Sequence, residues 1–389
     1  MKMKNLIYIP LVTLILWSCT NEPEKPSTIS VQEIADDFEL AKAHYMNMMK
    51  ALPEDKFPRS FENGSFTTSG SDWWCSGFYP GSLLFLYQET KDQGVLNEAN
   101  RMLALLEKEQ YNTGTHDLGF MMFCSFGYAN WLNPSPQYDS ILVQSAKSLS
   151  SRFSESTGCI RSWDSDSTDF IVIIDNMMNL ELLFWATEKT GDSTYYNIAV
   201  THANTTLQNH FREDNSSYHV LNYHPTTGEV QEKKTAQGLA NESAWARGQA
   251  WGLYGYTATY RATKDPAYLN QAEKIADFIL NHPNLPGDMV PLWDFNTDPD
   301  DYRDASAAAI MASGLIELHQ YLPNKGYLTA AKNILTSLHN DYLAELGTNG
   351  NFLIKHCVGH KPANSEVDVP LTYADYYYLE AIKRLKPLL

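Results

Sequence analysis

Apolar residues recur at three- and four-residue intervals along most of the chain, the mark of helices with one buried stripe. The segment VQEIADDFELAKAHYMNMMKAL, from Val31 to Leu52, is the first such stretch. Five more open on an aromatic or aliphatic residue four positions before an alanine: Val95 and Ala99, Leu142 and Ala146, Tyr195 and Ala199, Tyr268 and Ala272, Tyr327 and Ala331. Turn sequences such as KTGD, TKDP and LPNKG precede the last three of these pairs. Alternating with them are stretches that are apolar or small nearly all round: GFYPGSLLFLYQET, HDLGFMMFCSFGYANWL, IIDNMMNLELLFWATEK, WARGQAWGLYGYTATYRA, RDASAAAIMASGLIELHQYL and TYADYYYLEAIKRL. A helix without a polar face is a buried one. Six amphipathic helices alternating with six apolar ones predict an all-α (α/α)6 barrel, a toroid of six hairpins with inner helices buried and outer ones half exposed. An open helical solenoid is the competing arrangement. The unequal steps between anchors, 47, 53, 73 and 59 residues, fit a barrel with long loops better than a regular array. Strand signal is sparse and confined to stretches such as SSYHVLNYHPTTGEV, Ser216 to Val230.

The first residues, MKMKNLIYIPLVTLILWSC, place two lysines ahead of an apolar run from Leu6 to Trp17 that is too short to span a bilayer comfortably. Residues 1–18 therefore read as a signal peptide, and LWSC resembles a bacterial lipobox with Cys19 as the lipidated residue. Residues 19–30, polar and proline-containing, read as a tether, leaving 31–389 as one barrel domain. The expectation is an exported bacterial lipoprotein that meets the membrane only through its lipid anchor, facing the periplasm.

Composition narrows the chemistry. Hydrophobic residues make up 43% and aromatic residues 12%, which excludes disorder along the whole chain. Against 29 Lys and Arg stand 46 Asp and Glu, a formal charge of -17 that repels phosphate backbones, so no nucleic-acid partner is expected. Beyond Cys19 the cysteines are Cys75, Cys124, Cys159 and Cys357; none forms a CxxC pair, and they read as buried thiols. Without an HExxH, a CxxC or an EF-hand loop, the sequence calls for no metal or other cofactor.

Polar residues on the apolar helices gather where each helix begins. Asp117 follows His116, Asp175 opens IIDNMMNL, Arg247 opens ARGQAW, Asp304 opens RDAS and Asp375 lies in TYADYYY, with Trp73, Trp74, Trp163, Trp245 and Trp251 at the same level. In a closed barrel these starts converge on one mouth, giving an aromatic pocket with carboxylates and a guanidinium. Helix capping accounts equally well for Asp304 and Asp375. Asp175 and Asp117 stand in apolar surroundings where a carboxylate needs a partner or a proton, which marks them as functional candidates. An indole face stacks on the C–H face of a sugar, so carbohydrate leads as ligand class.

The strings HDLGFMMF, IIDNMMNLELLFWA, ESAWARGQAWGLYG and NSEVDVPLTYADYYYLEA, in this order, resemble the unsaturated glucuronyl hydrolases of glycoside hydrolase family 88. The resemblance covers nearly all of the chain after the tether. It implies an (α/α)6 barrel and an enzyme that removes 4,5-unsaturated glucuronic acid from the non-reducing end of oligosaccharides left by polysaccharide lyases. The implied partners are unsaturated disaccharides of chondroitin, hyaluronan or heparin type. It implies Asp175 as catalytic acid and base and Asp117 as its partner. His219, Gln237, Arg247 and Trp251 become substrate contacts, and Trp74, His116 and Trp163 line the pocket, with Trp73 the alternative to Trp74. The stretch KHCVGHKPANSEVD departs from the serine and lysine pattern of some relatives, offering Lys355, His360, Lys361 and Ser365 in its place, so sulfate recognition does not carry over. Three other readings compete: a rhamnogalacturonyl hydrolase of family 105, a sugar epimerase using His116 and His219, and a non-catalytic glycan-binding lipoprotein.

Overall fold

Six helices carry the amphipathic pattern: α1 (Val31–Ala51), α3 (Gln93–Leu106), α5 (Pro136–Ser150), α7 (Ser193–Asn209), α9 (Pro266–Asn281) and α11 (Tyr327–Ser337). Every anchor pair named from the sequence is buried on them. Five of the six are capped by side chains at their starts: Ser30 and Glu33 form a reciprocal box, and the side chains of Asp92, Ser135, Asp192 and Asp265 accept backbone N–H groups, while α11 begins after Gly326 without a side-chain cap. Each such cap contributes about 1 kcal/mol. This computed structural model describes residues 28–389, so the signal peptide, Cys19 and most of the tether expected from the sequence lie outside the described residues.

The apolar stretches form the inner helices α2 (Phe78–Thr90), α4 (Tyr128–Leu132), α6 (Leu180–Thr190), α8 (Ala246–Thr263), α10 (Ala305–Tyr321) and α12 (Thr372–Leu385). Two of them begin irregularly. A π-helical segment, Gly119–Gly127, leads into α4, and a 3-10 turn, Ile174–Asn179, leads into α6. The inner helices pack in sequence around a ring, and α12 returns to α2. That closure makes an (α/α)6 barrel and excludes the open solenoid.

Strands are more numerous than the sequence pattern indicates. Among the described residues, β1 (Phe57–Glu62) pairs with β2 (Ser65–Ser69), β3 (Phe153–Ser154) with β4 (Cys159–Ile160), and β8 (Cys357–His360) with β9 (Ser365–Val369). An antiparallel sheet runs β5 (Phe170–Ile173), β6 (Val220–Tyr223), β7 (Val230–Lys234). All four residues of β5 are buried, so FIVI lacks the alternation that identifies a half-exposed strand and merges with the apolar helix after it. Among the described residues the four cysteines are free thiols, three buried and Cys124 half-buried.

Close approach of the inner helices depends on small residues. A Cβ at Gly255 would lie 2.5 Å from the Met177 Cβ and 3.2 Å from its carbonyl carbon, so α8 and the 3-10 turn meet where no side chain fits. Asp375, expected at the mouth, serves the framework: it accepts the Leu353 and Ile354 N–H groups at 2.9 Å each and the Tyr45 hydroxyl at 3.2 Å, and does not cap α12. In an exposed helix Gly→Ala is worth about 1 kcal/mol of stabilisation. Gly255→Ala is expected to do the opposite and lower the thermal midpoint by several degrees in a melting experiment; a raised midpoint would contradict this packing.

Candidate active site

Every inner helix starts at the same end of the barrel, and the irregular starts place the candidate side chains. Trp74, His116, Asp117, Phe120, Trp163, Ile173, Asp175, Gln237 and Arg247 line one narrow pocket of about 80 Å³ at this mouth. Seven of the nine residues proposed from sequence for catalysis or binding are among them. His219 and Trp251 lie behind the wall instead. Trp73 is exposed on the rim with the Arg59 guanidinium 4.4 Å above its ring, while Trp74 faces the pocket.

Sheet register explains how Asp175 meets His219. Ile173 pairs with Val220, the Ile174 N–H donates to the His219 carbonyl at 3.0 Å, and the chain then turns into the 3-10 segment with Asp175 in its first turn. His219 Nε2 comes to 3.7 Å from Asp175 Oδ2. The Ala236 and Gln237 N–H groups, both at 3.2 Å, donate to His219 Nδ1. A nitrogen that accepts two N–H bonds carries no proton, so the imidazole proton resides on Nε2 and points toward Asp175. Burial, followed by the charge of Arg247, holds the His219 pKa well below its ordinary value, which keeps the ring neutral.

Asp117 lies at the entry to the π-helical segment. Thr115 Oγ1 donates to its Oδ2 at 3.1 Å, and His116 Nε2 stands 3.2 Å from its Oδ1. Arg152 braces this loop against the Trp163 loop by donating to the carbonyls of Thr113, Arg161 and Ser162. Burial, then the Arg152 charge, lowers the His116 pKa to about 3, so it too is neutral.

Both carboxyls are pushed up to about 7, and burial is the largest cause for each. Arg247 pulls Asp175 down and the charge of Asp117 pushes it up; hydrogen bonding from Thr115 and the Arg152 charge pull Asp117 down. Asp175 Oδ2 is buried without a hydrogen-bond partner. The two carboxyls thus lie at the same value near neutrality, and ionisation of Asp117 raises Asp175 further.

Arg247 is bound by the protein itself. Its guanidinium donates to Asp304 Oδ2 at 3.1 Å, to the carbonyls of Val358 and Gly359 in β8, and to Gln237 Oε1 at 2.6 Å. Four of its five N–H groups are thus committed, which rules out a two-pronged clamp on a substrate carboxylate. Asp304 does two jobs at once, capping α10 through the Ser306 N–H and pairing with Arg247. The β8–β9 hairpin covers the stretch where the sequence departs from some relatives, and it is the hairpin that props Arg247.

Trp251 differs from the expectation of a ring-stacking wall. It is fully buried, with Phe120 at 5.1 Å and Tyr377 at 5.4 Å between ring centroids, so neither indole face is open to a sugar. Its N–H, close to the Asp175 carboxyl and without an aligned acceptor, is what it offers the site. Open aromatic surface comes from Trp163 and Trp74. Residues that the sequence reading did not single out are Thr115, Phe120, Arg152, Ile173 and Asn179. Only Asn179, polar within the apolar run NMMNLELLFWA, carried a signal of its own.

Residues 41–388 match the family model described as Glycosyl Hydrolase Family 88. The chain is 44% identical over 400 residues, all of both chains, to an unsaturated glucuronyl hydrolase of Formosa agariphila. It is 32% identical over 392 residues to an unsaturated chondroitin disaccharide hydrolase of Streptococcus pyogenes, covering 96% of this chain and 97% of the relative. The crystal structure of an unsaturated glucuronyl hydrolase specific for heparin superposes with a TM-score of 0.90 at 44% identity, covering 92% of this chain and 98% of that one.

A carboxyl whose folded pKa lies above its unfolded value of 3.8 binds its proton more tightly in the native state, so stability falls as pH rises from about 4 through about 7. Asp175→Asn removes that loss. Its thermal midpoint is expected to exceed that of the natural protein at pH 8 and to match it near pH 4. A midpoint lower at pH 8 than at pH 4, relative to the natural protein, would contradict a carboxyl held against ionisation.

Proposed function

The chain belongs to glycoside hydrolase family 88 and is a glycoside hydrolase, and on that premise we propose that it removes 4,5-unsaturated glucuronic acid from the non-reducing end of lyase-generated glycosaminoglycan oligosaccharides. The observation that carries this reading is a pair of buried carboxyls, each raised to about 7, in a narrow pocket with aromatic walls. An ordinary glycosidase acts at C1 through two carboxylates set across the bond. The C4=C5 bond of the unsaturated uronate is a vinyl ether, and it asks for one strong proton donor.

In this scheme Asp175 delivers its proton to C4, and the ring oxygen stabilises the cation at C5. Water adds at C5 while its proton passes to the Asp175 carboxylate, restoring the acid. The C5 hemiketal opens to a ketone, with the ring oxygen leaving as the C1 hydroxyl. The hemiacetal at C1 then collapses to an aldehyde and releases the remaining sugar. His219 Nε2–H supports the transient Asp175 carboxylate, and Asp117 keeps negative charge beside the cation. Arg247 supplies positive potential and one remaining N–H for the uronate carboxylate, while Trp74 and Trp163 face the ring.

Relatives named for chondroitin and for heparin favour glycosaminoglycan fragments over the pectin fragments of family 105 enzymes, and 44% identity to the heparin-specific structure puts heparin-type disaccharides first. An epimerase using His116 and His219 fits poorly, because both rings are buried and neutral. The same reading includes export as a lipoprotein anchored through Cys19 and facing the periplasm, supported by the lysines, short apolar run and LWSC string at the start of the chain.

Asp175→Asn is expected to lower kcat/KM for unsaturated disaccharides by roughly 10²–10⁴-fold, followed as loss of absorbance of the double bond. In the natural enzyme the acid must be protonated, so kcat/KM falls as pH rises through about 7. Natural turnover in the variant, or a rate that climbs steadily above pH 8, would sink the assignment. For the anchor, Cys19→Ser is expected to abolish incorporation of radiolabelled palmitate in bacterial cells; labelling that persists would place the lipid elsewhere.

A further inference from the structure

Asn179 closes the 3-10 turn that carries Asp175 and is fully buried. The segments bearing the two carboxyls touch at backbone level here: a Cβ on Gly119 would lie 2.4 Å from the Asn179 Cα. Asn179 Oδ1 accepts the Phe120 N–H at 3.0 Å, a donor at the start of the π-helical segment with no partner inside it. That bond fixes the amide orientation, because only its oxygen accepts, and the amino group is turned elsewhere. The buried amino group has no aligned acceptor, and the carboxyl it pulls toward the ionised form is Asp117, three residues before Phe120.

The surroundings of the two carboxyls then differ in kind. Around Asp117 stand the Thr115 hydroxyl, the neutral His116 ring, the Arg152 guanidinium at the end of α5 and the Asn179 amide, with the neutral thiol of Cys75 and the charge of Asp175 nearby. Around Asp175 stand His219, Arg247, the Trp251 indole and its own backbone N–H, and Oδ2 has no aligned donor. Hydrogen bonds donated to a carboxylate favour its ionised form.

We propose that Asn179 is a positioning residue that decides which of the two carboxyls keeps its proton: by presenting its amino group to Asp117 it keeps that group as the carboxylate and leaves Asp175 as the acid. The proposal rests on the reading of this pair as catalytic. It explains why two similarly buried aspartates take different roles, the arrangement by which one site supplies both an acid and a charge stabiliser. It also couples the two segments, since the oxygen that orients the amide is tied to the backbone three residues beyond Asp117.

Two variants test it. Asn179→Asp keeps an oxygen for the Phe120 N–H and replaces the amino group by a second oxygen; Asn179→Ala removes both. The carboxyl titrations are read by ¹³C NMR on the unliganded full chain, with Asp117→Asn and Asp175→Asn giving the assignments. In the natural protein Asp117 is expected to titrate below Asp175, and in both Asn179 variants to move up by about one pH unit or more. Turnover is expected to fall about 10- to 100-fold in kcat with KM little changed, because the lost interaction bears on the proton and not on binding. Asp117 titrating unchanged in a variant that melts as the natural protein does, or titrating above Asp175 in the natural protein, would overturn the proposal. An inactive natural enzyme would instead contradict the functional reading, and the titration would still decide the role of Asn179.

Discussion

The site depends on keeping two carboxyls out of water while allowing only one positive charge close to Asp175. A carboxylate moved from water into an apolar enclosure either finds a partner or takes a proton. Arg247 could have been that partner. Its guanidinium is instead occupied by Asp304, two β8 carbonyls and Gln237, so its charge is felt at Asp175 without forming an ion pair there. Had Arg247 closed on Asp175, the carboxyl would fall back to the ordinary range and have no proton to give near neutral pH. The barrel exists to hold that separation: α8 carries Arg247, α10 begins with the aspartate that binds it, and the β8–β9 hairpin completes its coordination.

Irregular backbone does the fine placement. Asp117 and Asp175 both precede regular α-helix, one before a π-helical segment and the other within a 3-10 turn. Such departures accompany functional sites because they aim a side chain where a continuous helix would not. The sheet contributes the same kind of control, since the pairing of β5 with β6 sets His219 beside Asp175, and two backbone N–H groups settle its tautomer. The site's cost in stability is borne by the tightly packed inner ring, where small residues let backbones approach and Asp375 satisfies buried N–H groups of a neighbouring loop.

The helical hairpins were legible in the sequence because burial repeats with the helical period: every anchor such as Tyr268 with Ala272 or Tyr327 with Ala331 is buried where the pattern placed it. The convergence of helix starts was legible for the same reason. What did not show was anything set by contacts between distant segments. β5 looks like the start of a helix because all of it is buried. Trp251 looks like a sugar platform until Phe120 and Tyr377, both from far along the chain, enclose it. Arg247 looks like a free cation until the hairpin 111 residues later folds over it. The formal charge of -17 excluded long polyanions but was silent about a pocket whose local charges are few and placed singly.

Protonation of a vinyl ether by a buried carboxyl, in place of attack at C1, leaves its mark on the products when the reaction is run on an unsaturated heparin-type disaccharide in D₂O enriched in ¹⁸O and the products are read by NMR and mass spectrometry. The account predicts deuterium at C4 and ¹⁸O in the new carbonyl at C5 of the released uronate, with loss of the double bond. Release of an intact unsaturated uronate, its double bond retained and ¹⁸O at C1, would contradict it.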